Sequence, residues 1–180
     1  MGMGDRRWER REPRSGGGGA KYRMRQQLIS LGHDFWIEDE RGERAFKVNA
    51  KAVRIRATMV LEDASGRELL KIQERKLRLR NTMEIEDPDG NTIATLKKAM
   101  ITPLRERFDV LVEAGENLEV QGNIVDHEYR ITRGDAKVAE VSKDWFRVAD
   151  TYGVQIAEGQ DSVLILAVAA ALDSMSHEGR

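Results

Sequence analysis

Asp161-Ser-Val-Leu-Ile-Leu-Ala-Val-Ala-Ala-Ala-Leu-Asp173 is the stretch on which the fold turns. Its apolar residues do not alternate with polar ones, so it does not read as a half-buried strand. Alanine favours helix, and Asp161 or Ser162 is a fitting N-cap. The spacing predicts a helix over about 161–174 that is apolar on every side and must therefore be buried on every side. If fully buried, Val163, Leu164, Ile165, Leu166, Val168 and Leu172 contribute about 9–18 kcal/mol as an upper bound. The longest apolar run, Val163 to Leu172, is ten residues. That is half of the roughly 20 needed to cross a bilayer.

What encloses the helix is written upstream, in an internal repeat. Ile37-Glu38-Asp39, Leu61-Glu62-Asp63 and Ile85-Glu86-Asp87 recur with a period of 24 residues, and Gly42, Gly66 and Gly90 follow at the same offset. The first two copies also align Lys47 with Lys71, Arg54 with Arg78 and Arg56 with Arg80. Polar turn formers followed by glycine, between runs of period-two alternation, read as strand, tight turn, strand. Val53, Ile55, Ala57 and Met59 alternate with Arg54, Arg56 and Thr58, as on a single strand with two faces. Further tips occur at Glu113–Asn117 and Thr132–Asp135, with alternating runs between them, the last reaching Trp145. The reading gives eleven or twelve strands, and such short connections imply antiparallel pairing.

A sheet of that size with a wholly apolar helix predicts a mainly β protein. The expected form is a closed antiparallel barrel of about twelve strands around a central hydrophobic C-terminal α-helix. An eight-stranded barrel fills itself with side chains, whereas about twelve strands leave room for a helix. The alternative is a helix packed under an open or sandwiched sheet. Residues 1–20, with Gly16 to Gly19 and several arginines, are expected to form a disordered basic tail, and 21–176 the barrel domain.

Composition narrows the chemistry. The net charge is −1, so no global field draws the chain to nucleic acid, and any anionic partner must be held by a local patch. The absence of cysteine removes disulfides, thiol nucleophiles and thiolate metal sites. Met1 to Ala20 lacks the apolar centre of a secretory signal. The expectation is a cytoplasmic protein with a peripheral membrane role left open. His33, His127 and His177 are the histidines, and no nucleophile elbow, P-loop or His-Glu-x-x-His is present. No catalytic residue, cofactor or metal site is expected. The acidic turns miss the EF-hand spacing, since taking Gly90 as the sixth position puts Ile85 first.

The chain resembles a known family. Phe35-x-Ile37-x-Asp39-x-x-Gly42, Phe46-x-Val48, Leu61-x-Asp63-x-x-Gly66 with Leu69 and Ile72, then Trp145, Asp150-x-Tyr152-Gly153-Val154-Gln155-Ile156 and Ala170-x-Leu172-Asp173-x-Met175 carry the likeness. Their order is similar to that of LURP-one-related proteins. Those in turn are similar in fold to the tubby C-terminal domain and to phospholipid scramblases. The resemblance implies a roughly twelve-stranded barrel around a hydrophobic helix and does not imply an enzyme. Through the tubby relatives it implies phosphoinositide head groups as ligands, and through the scramblases a link to calcium and membranes. The scramblase calcium pattern is incomplete, with Asp150 in place but Val148 where another Asp is expected.

The candidate ligand-binding residues are Arg54, Arg56, Lys76, Arg78, Arg80, Lys97 and Lys98. On a strand Lys76, Arg78 and Arg80 share one face, and guanidinium groups suit phosphate geometry. The plain alternative is an outer barrel face whose charges are balanced by neighbouring carboxylates. The leading expectation is thus a non-enzymatic barrel that binds an anionic phospholipid or similar ligand. A structural or protein-interaction module comes second and scramblase-like lipid transport third.

Overall fold

In a computed structural model the described residues are 19–25, 34–53, 56–75, 82–102, 105–146 and 151–177. They form twelve strands and one helix. The strands are β1 (Ala20–Arg25), β2 (Phe35–Asp39), β3 (Arg44–Val53), β4 (Arg56–Asp63), β5 (Glu68–Glu74) and β6 (Thr82–Glu86). They continue with β7 (Thr92–Thr102), β8 (Arg105–Val112), β9 (Leu118–Asn123), β10 (Glu128–Arg133), β11 (Ala136–Ser142) and β12 (Thr151–Ile156). Each pairs antiparallel with its sequence neighbour, and β1 pairs with β12, which closes the barrel. Helix α1 (Ser162–His177) follows.

The repeat is a bulged hairpin used three times. The register slips at Ile37/Glu38, Leu61/Glu62 and Ile85/Glu86, always beside the turn. In each turn the aspartate accepts backbone N–H bonds from the residues that reverse the chain. Asp39 takes those of Arg41 and Glu43 at 2.9 Å, and Asp63 takes those of Ser65 and Arg67. Gly42, Gly66 and Gly90 close the turns at φ between 79° and 87°, a region that side chains with a Cβ avoid. Side-chain bonds to Ser65 and to Asn91, with backbone N–H groups, hold the Asp63 and Asp87 carboxyls below their usual range. The acids of these turns are therefore committed to their own backbone.

Inside, one residue in two faces the helix. Ile37, Val48, Leu61, Ile72, Ile85, Leu96, Val110, Val120, Ile131, Val141 and Val154 are all buried in one cluster with α1. Asp161 caps the helix, its carboxylate accepting the Leu164 N–H at 3.1 Å. From Leu164 to Ser174 no helical residue is exposed beyond 8%. Ala167, Ala169, Ala170 and Ala171, each fully buried, keep the helix slim enough for the bore. The helix runs three residues past the expected 174, and Met175 still packs on the core.

Two local expectations are corrected. Residues 53–59 are not one strand. The chain reverses after Val53, which lies opposite Arg56 in the β3–β4 ladder. Nor does the late alternating run extend to Trp145, since β11 ends at Ser142 and Trp145 lies in the turn that follows.

Candidate functional site

Strands that alternate in direction put alternate connections at opposite rims. The turns after β2, β4, β6, β8, β10 and β12 share one rim, where Glu40, Glu43, Asp89, Glu113, Glu116 and Glu158 are exposed beside Arg41, Arg44, Arg67 and Lys137. The turns after β1, β3, β5, β7, β9 and β11 share the other, and α1 ends there. Arg25, Arg75 and Arg105 are exposed at this second rim, beside Asp34, Glu74, Asp126 and Asp144.

The candidate basic residues divide among several settings. Arg54, Lys76, Arg78 and Arg80 lie outside the described residues. The strand ends that bracket them, Val53 and Arg56 on one side and Arg75 and Thr82 on the other, belong to the second rim. Arg56 opens β4 at that rim. Lys97 and Lys98 are adjacent on β7 and so point to opposite sides of the wall. Leu96 faces the core, which puts Lys97 outside and Lys98 on the core side. There the Lys98 ammonium sits 5.5 Å from the Phe108 ring centre and 2.5 Å from a Glu106 carboxylate oxygen. Those two lysines do not make one basic face.

Elsewhere the outer wall pairs its charges across strands. Arg23 meets Glu38, Lys71 meets Glu86 at 3.7 Å, Arg75 meets Glu84 at 3.2 Å, and Arg107 meets Glu119 at 3.1 Å. Such exposed pairs contribute about 0–1 kcal/mol each. They neutralise much of the wall.

A hollow of about 420 Å³ opens in the outer wall where β8 to β11 approach the second rim. Arg105, Gln121, Asn123, Glu128, Arg130 and Glu140 line it, together with bare backbone at Gly122. Gly122 has φ 149°, and a Cβ there would lie 2.4 Å from the Glu128 carbonyl oxygen. The Glu128 carboxylate accepts from the Ser142 hydroxyl at 2.8 Å and the Lys143 N–H at 2.7 Å. Arg130 donates to the Gln121 side-chain oxygen at 3.1 Å.

Sequence reasoning missed one polar cluster entirely. His127, at the tip of the β9–β10 turn, and Asp173, in the last part of α1, are each 1% exposed. His127 Nε2 and Asp173 Oδ1 are 2.7 Å apart. The His127 ring lies against Tyr152 with centres 4.2 Å apart. Burial, reinforced by the Asp173 carboxylate, pushes the Tyr129 and Tyr152 hydroxyls up from their ordinary value. The signal was Asp173 itself, an acid at the end of an all-apolar helix that must find a partner in the wall. Among the described residues no group of three or more His, Asp or Glu is placed to hold a metal ion.

The LURP-one-related family model matches residues 20–173, from the first strand to the helix residue that meets His127. The chain belongs to the LURP-one-related family. A protein of Arabidopsis thaliana, known from an X-ray structure, superimposes with a TM-score of 0.65, covering 90% of this chain and 92% of its own. At 18% identity that likeness shows the shared fold alone. The uncharacterized protein YxjI of Bacillus subtilis (strain 168) is 36% identical over 62 residues. That match spans 34% of this chain and 38% of YxjI. The LURP-one-related barrel is thus established for this chain, and its ligand has to be argued from its own surface.

Proposed function

We propose that this LURP-one-related barrel is a non-catalytic binding module that presents its second rim to an anionic ligand or membrane surface. The observation that carries the reading is that strand ends at the second rim bracket Arg54, Lys76, Arg78 and Arg80 in the chain. Basic segments gathered at one rim favour approach to a negatively charged surface with that rim leading. Lys76-Leu-Arg78-Leu-Arg80 also interleaves leucines with its charges, a composition that suits a membrane interface. The rim replaces the strand face as the favoured location, because Lys97 and Lys98 point apart and the outer wall is paired across strands.

A catalytic reading has little support. The buried His127–Asp173 pair is sealed from solvent, and a general base must reach its substrate. A lipid-transport reading has little either. Helix α1 is consumed as core, and no helix among the described residues is long and apolar enough to cross a membrane.

The test is co-sedimentation of the full chain with vesicles. Vesicles of phosphatidylcholine doped with phosphatidylserine or a phosphoinositide are expected to capture it, pure phosphatidylcholine to leave it in solution, and added salt to release it. Replacing Arg54, Arg78 and Arg80 with alanine is expected to abolish capture. Capture that ignores both acidic lipid and these arginines overturns the proposal.

A further inference from the structure

We infer that the outer face of β1 is a docking stripe for an extended segment of a partner protein, one with an acidic residue at each end and an apolar residue midway. The stripe uses none of Arg54, Lys76, Arg78 and Arg80, and the inference does not rest on the rim reading.

Tyr22 and Met24 pack on the core, so Lys21, Arg23 and Arg25 project outward from the same strand. Elsewhere on the wall a basic residue faces an acidic one across the ladder. Lys47 lies opposite Glu62, Lys71 opposite Glu86 and Lys97 opposite Asp109. Strand β1 departs from this pattern. Its partners on β12 are Gln155 for Lys21, Gly153 for Arg23 and Thr151 for Arg25, and none is an acid.

The acids around the stripe leave its two ends uncompensated. On the β2 side Glu38 lies opposite Arg23 and pairs with it. Asp39 accepts the N–H groups of its own turn, and Glu140, across from Gln155, holds the Lys137 ammonium at 2.6 Å. Glu40 and Asp144 are exposed, each next in sequence to a basic residue, Arg41 and Lys143. Among the described residues no carboxylate forms an ion pair with Lys21 or Arg25.

The middle of the stripe is aromatic. The connection after β11 lays Trp145 and Phe146 over Gly153, where a Cβ would lie 2.6 Å from Trp145 Cε3 and 2.8 Å from Phe146 Cε2. The Arg23 guanidinium sits 5.7 Å from the Phe146 ring centre. Arg23 is thus held by Glu38 on one side and by the ring on the other, with its charge already matched. Trp145 and Phe146 are half-buried, which leaves apolar surface between the two unpaired cations.

Spacing selects the partner. Lys21 and Arg25, four residues apart on a strand, are separated by about 13 Å. Residues i and i+4 of an extended peptide have the same separation and share a face, with i+2 between them. Carboxylates at i and i+4 meet Lys21 and Arg25. A third at i+2 would meet Glu38, whereas an apolar side chain there meets Trp145 and Phe146. Single-stranded nucleic acid fits less well, because it carries a phosphate at every nucleotide and stacks its bases on free rings, and Arg23 covers Phe146.

The test is fluorescence anisotropy of a labelled peptide, Gly-Glu-Thr-Leu-Thr-Glu-Gly, titrated with the full chain at low salt. Saturable binding is expected, with release by added salt. The same residues arranged as Gly-Glu-Glu-Thr-Leu-Thr-Gly are expected to bind about fivefold more weakly or worse. Lys21→Gln combined with Arg25→Gln is expected to weaken binding about tenfold and to leave melting unchanged, since both side chains point away from the core. Lys21→Glu combined with Arg25→Glu is expected to reject this peptide and to bind its counterpart with lysine in place of both glutamates.

Equal binding of the two arrangements, parent-like affinity in the glutamine variant, or no gain of the lysine peptide by the charge-reversed chain overturns the inference. So does a single-stranded oligonucleotide or a phosphatidylserine vesicle that binds through Lys21 and Arg25 while the peptide does not. Failure of the rim proposal reads differently. It removes the effect of the Arg54, Arg78 and Arg80 variants on vesicles and leaves peptide binding intact.

Discussion

His127 and Asp173 join the barrel wall to its plug through a 2.7 Å contact made at 1% exposure, 46 residues apart in the chain. His127 is also the one non-glycine residue among the described residues with positive φ, at 54°. A backbone held in the left-handed region costs of order 1 kcal/mol and persists only where surrounding contacts impose it. The contact with Asp173 and the packing on Tyr152 are what impose it here. Removing one partner leaves a polar atom of the other buried without this hydrogen bond, a loss of about 1–3 kcal/mol. His127→Ala is therefore expected to lower stability by that amount in chemical denaturation. Asp173→Asn, which keeps a hydrogen-bonding oxygen, is expected to cost less. Equal stability of His127→Ala and the parent would show that the pair does not anchor the helix.

Tyr152 presents the opposite case. Its hydroxyl is buried and has no hydrogen-bond partner within the described structure. Desolvation of such a group is unrewarded, so Tyr152→Phe is expected to be neutral or to stabilise by up to about 1 kcal/mol. A loss of more than that in the same denaturation assay would reveal a bond to the hydroxyl.

The two core tyrosines also set a limit at alkaline pH. Both Tyr129 and Tyr152 have folded-state pKa values raised above the ordinary value of about 10, with burial the leading cause. A raised pKa means that only the unfolded chain releases these protons readily. The stability is intact below pH about 10 and is lost as pH climbs beyond it. Melting temperatures measured from pH 8 to 11 are expected to fall above pH 10, and to fall less steeply in Tyr129→Phe and Tyr152→Phe. Parallel curves for parent and variants would contradict the assignment.

Leu166 tests the enclosure of the helix as a whole. It is fully buried in the middle of α1. Leu166→Asp puts a carboxylate without a partner in the barrel, and the domain is expected not to fold. The milder Leu166→Ala is expected to remain folded with a loss of about 2–5 kcal/mol. A Leu166→Asp variant that melts like the parent would mean that the helix lies outside.

How far the sequence led differs by element, for physical reasons. The plug was legible because eleven residues without a charge between two aspartates admit no exposed face. The repeat was legible because Asp39, Asp63 and Asp87 each bind the N–H groups of their own turn, a local interaction written in local residues. The β3–β4 reversal was not. Val53-Arg-Ile-Arg56 holds none of the glycine, asparagine or proline that marks a tight turn, and a two-residue reversal leaves period-two alternation unbroken along the chain. Lys98 misled for another reason, since a lysine on the core side of a wall is rare and is stabilised here by Glu106, eight residues on and across a strand. Contacts such as His127 with Asp173 depend on the barrel having closed, which no window of sequence reports.

Gly122 carries a steric constraint beyond its positive φ. Gly66 and Gly122 both sit in the positive-φ region, at 86° and 149°. An alanine Cβ at Gly66 meets nothing within 4 Å, so Gly66→Ala incurs the conformational cost alone, about 1–3 kcal/mol. At Gly122 the same Cβ would also come within 2.4 Å of the Glu128 carbonyl oxygen and 2.6 Å of the Tyr129 α-carbon. Neither is a flexible side-chain end, so the β9–β10 ladder must part to admit it. Gly122→Ala is therefore expected to be the more destabilising of the two. It is also expected to speed amide exchange at Gln121, Asn123 and Tyr129 while leaving the β4–β5 turn untouched. If both alanines cost the same and exchange near Gly122 does not change, the close approach of the two backbones is not a constraint on this wall.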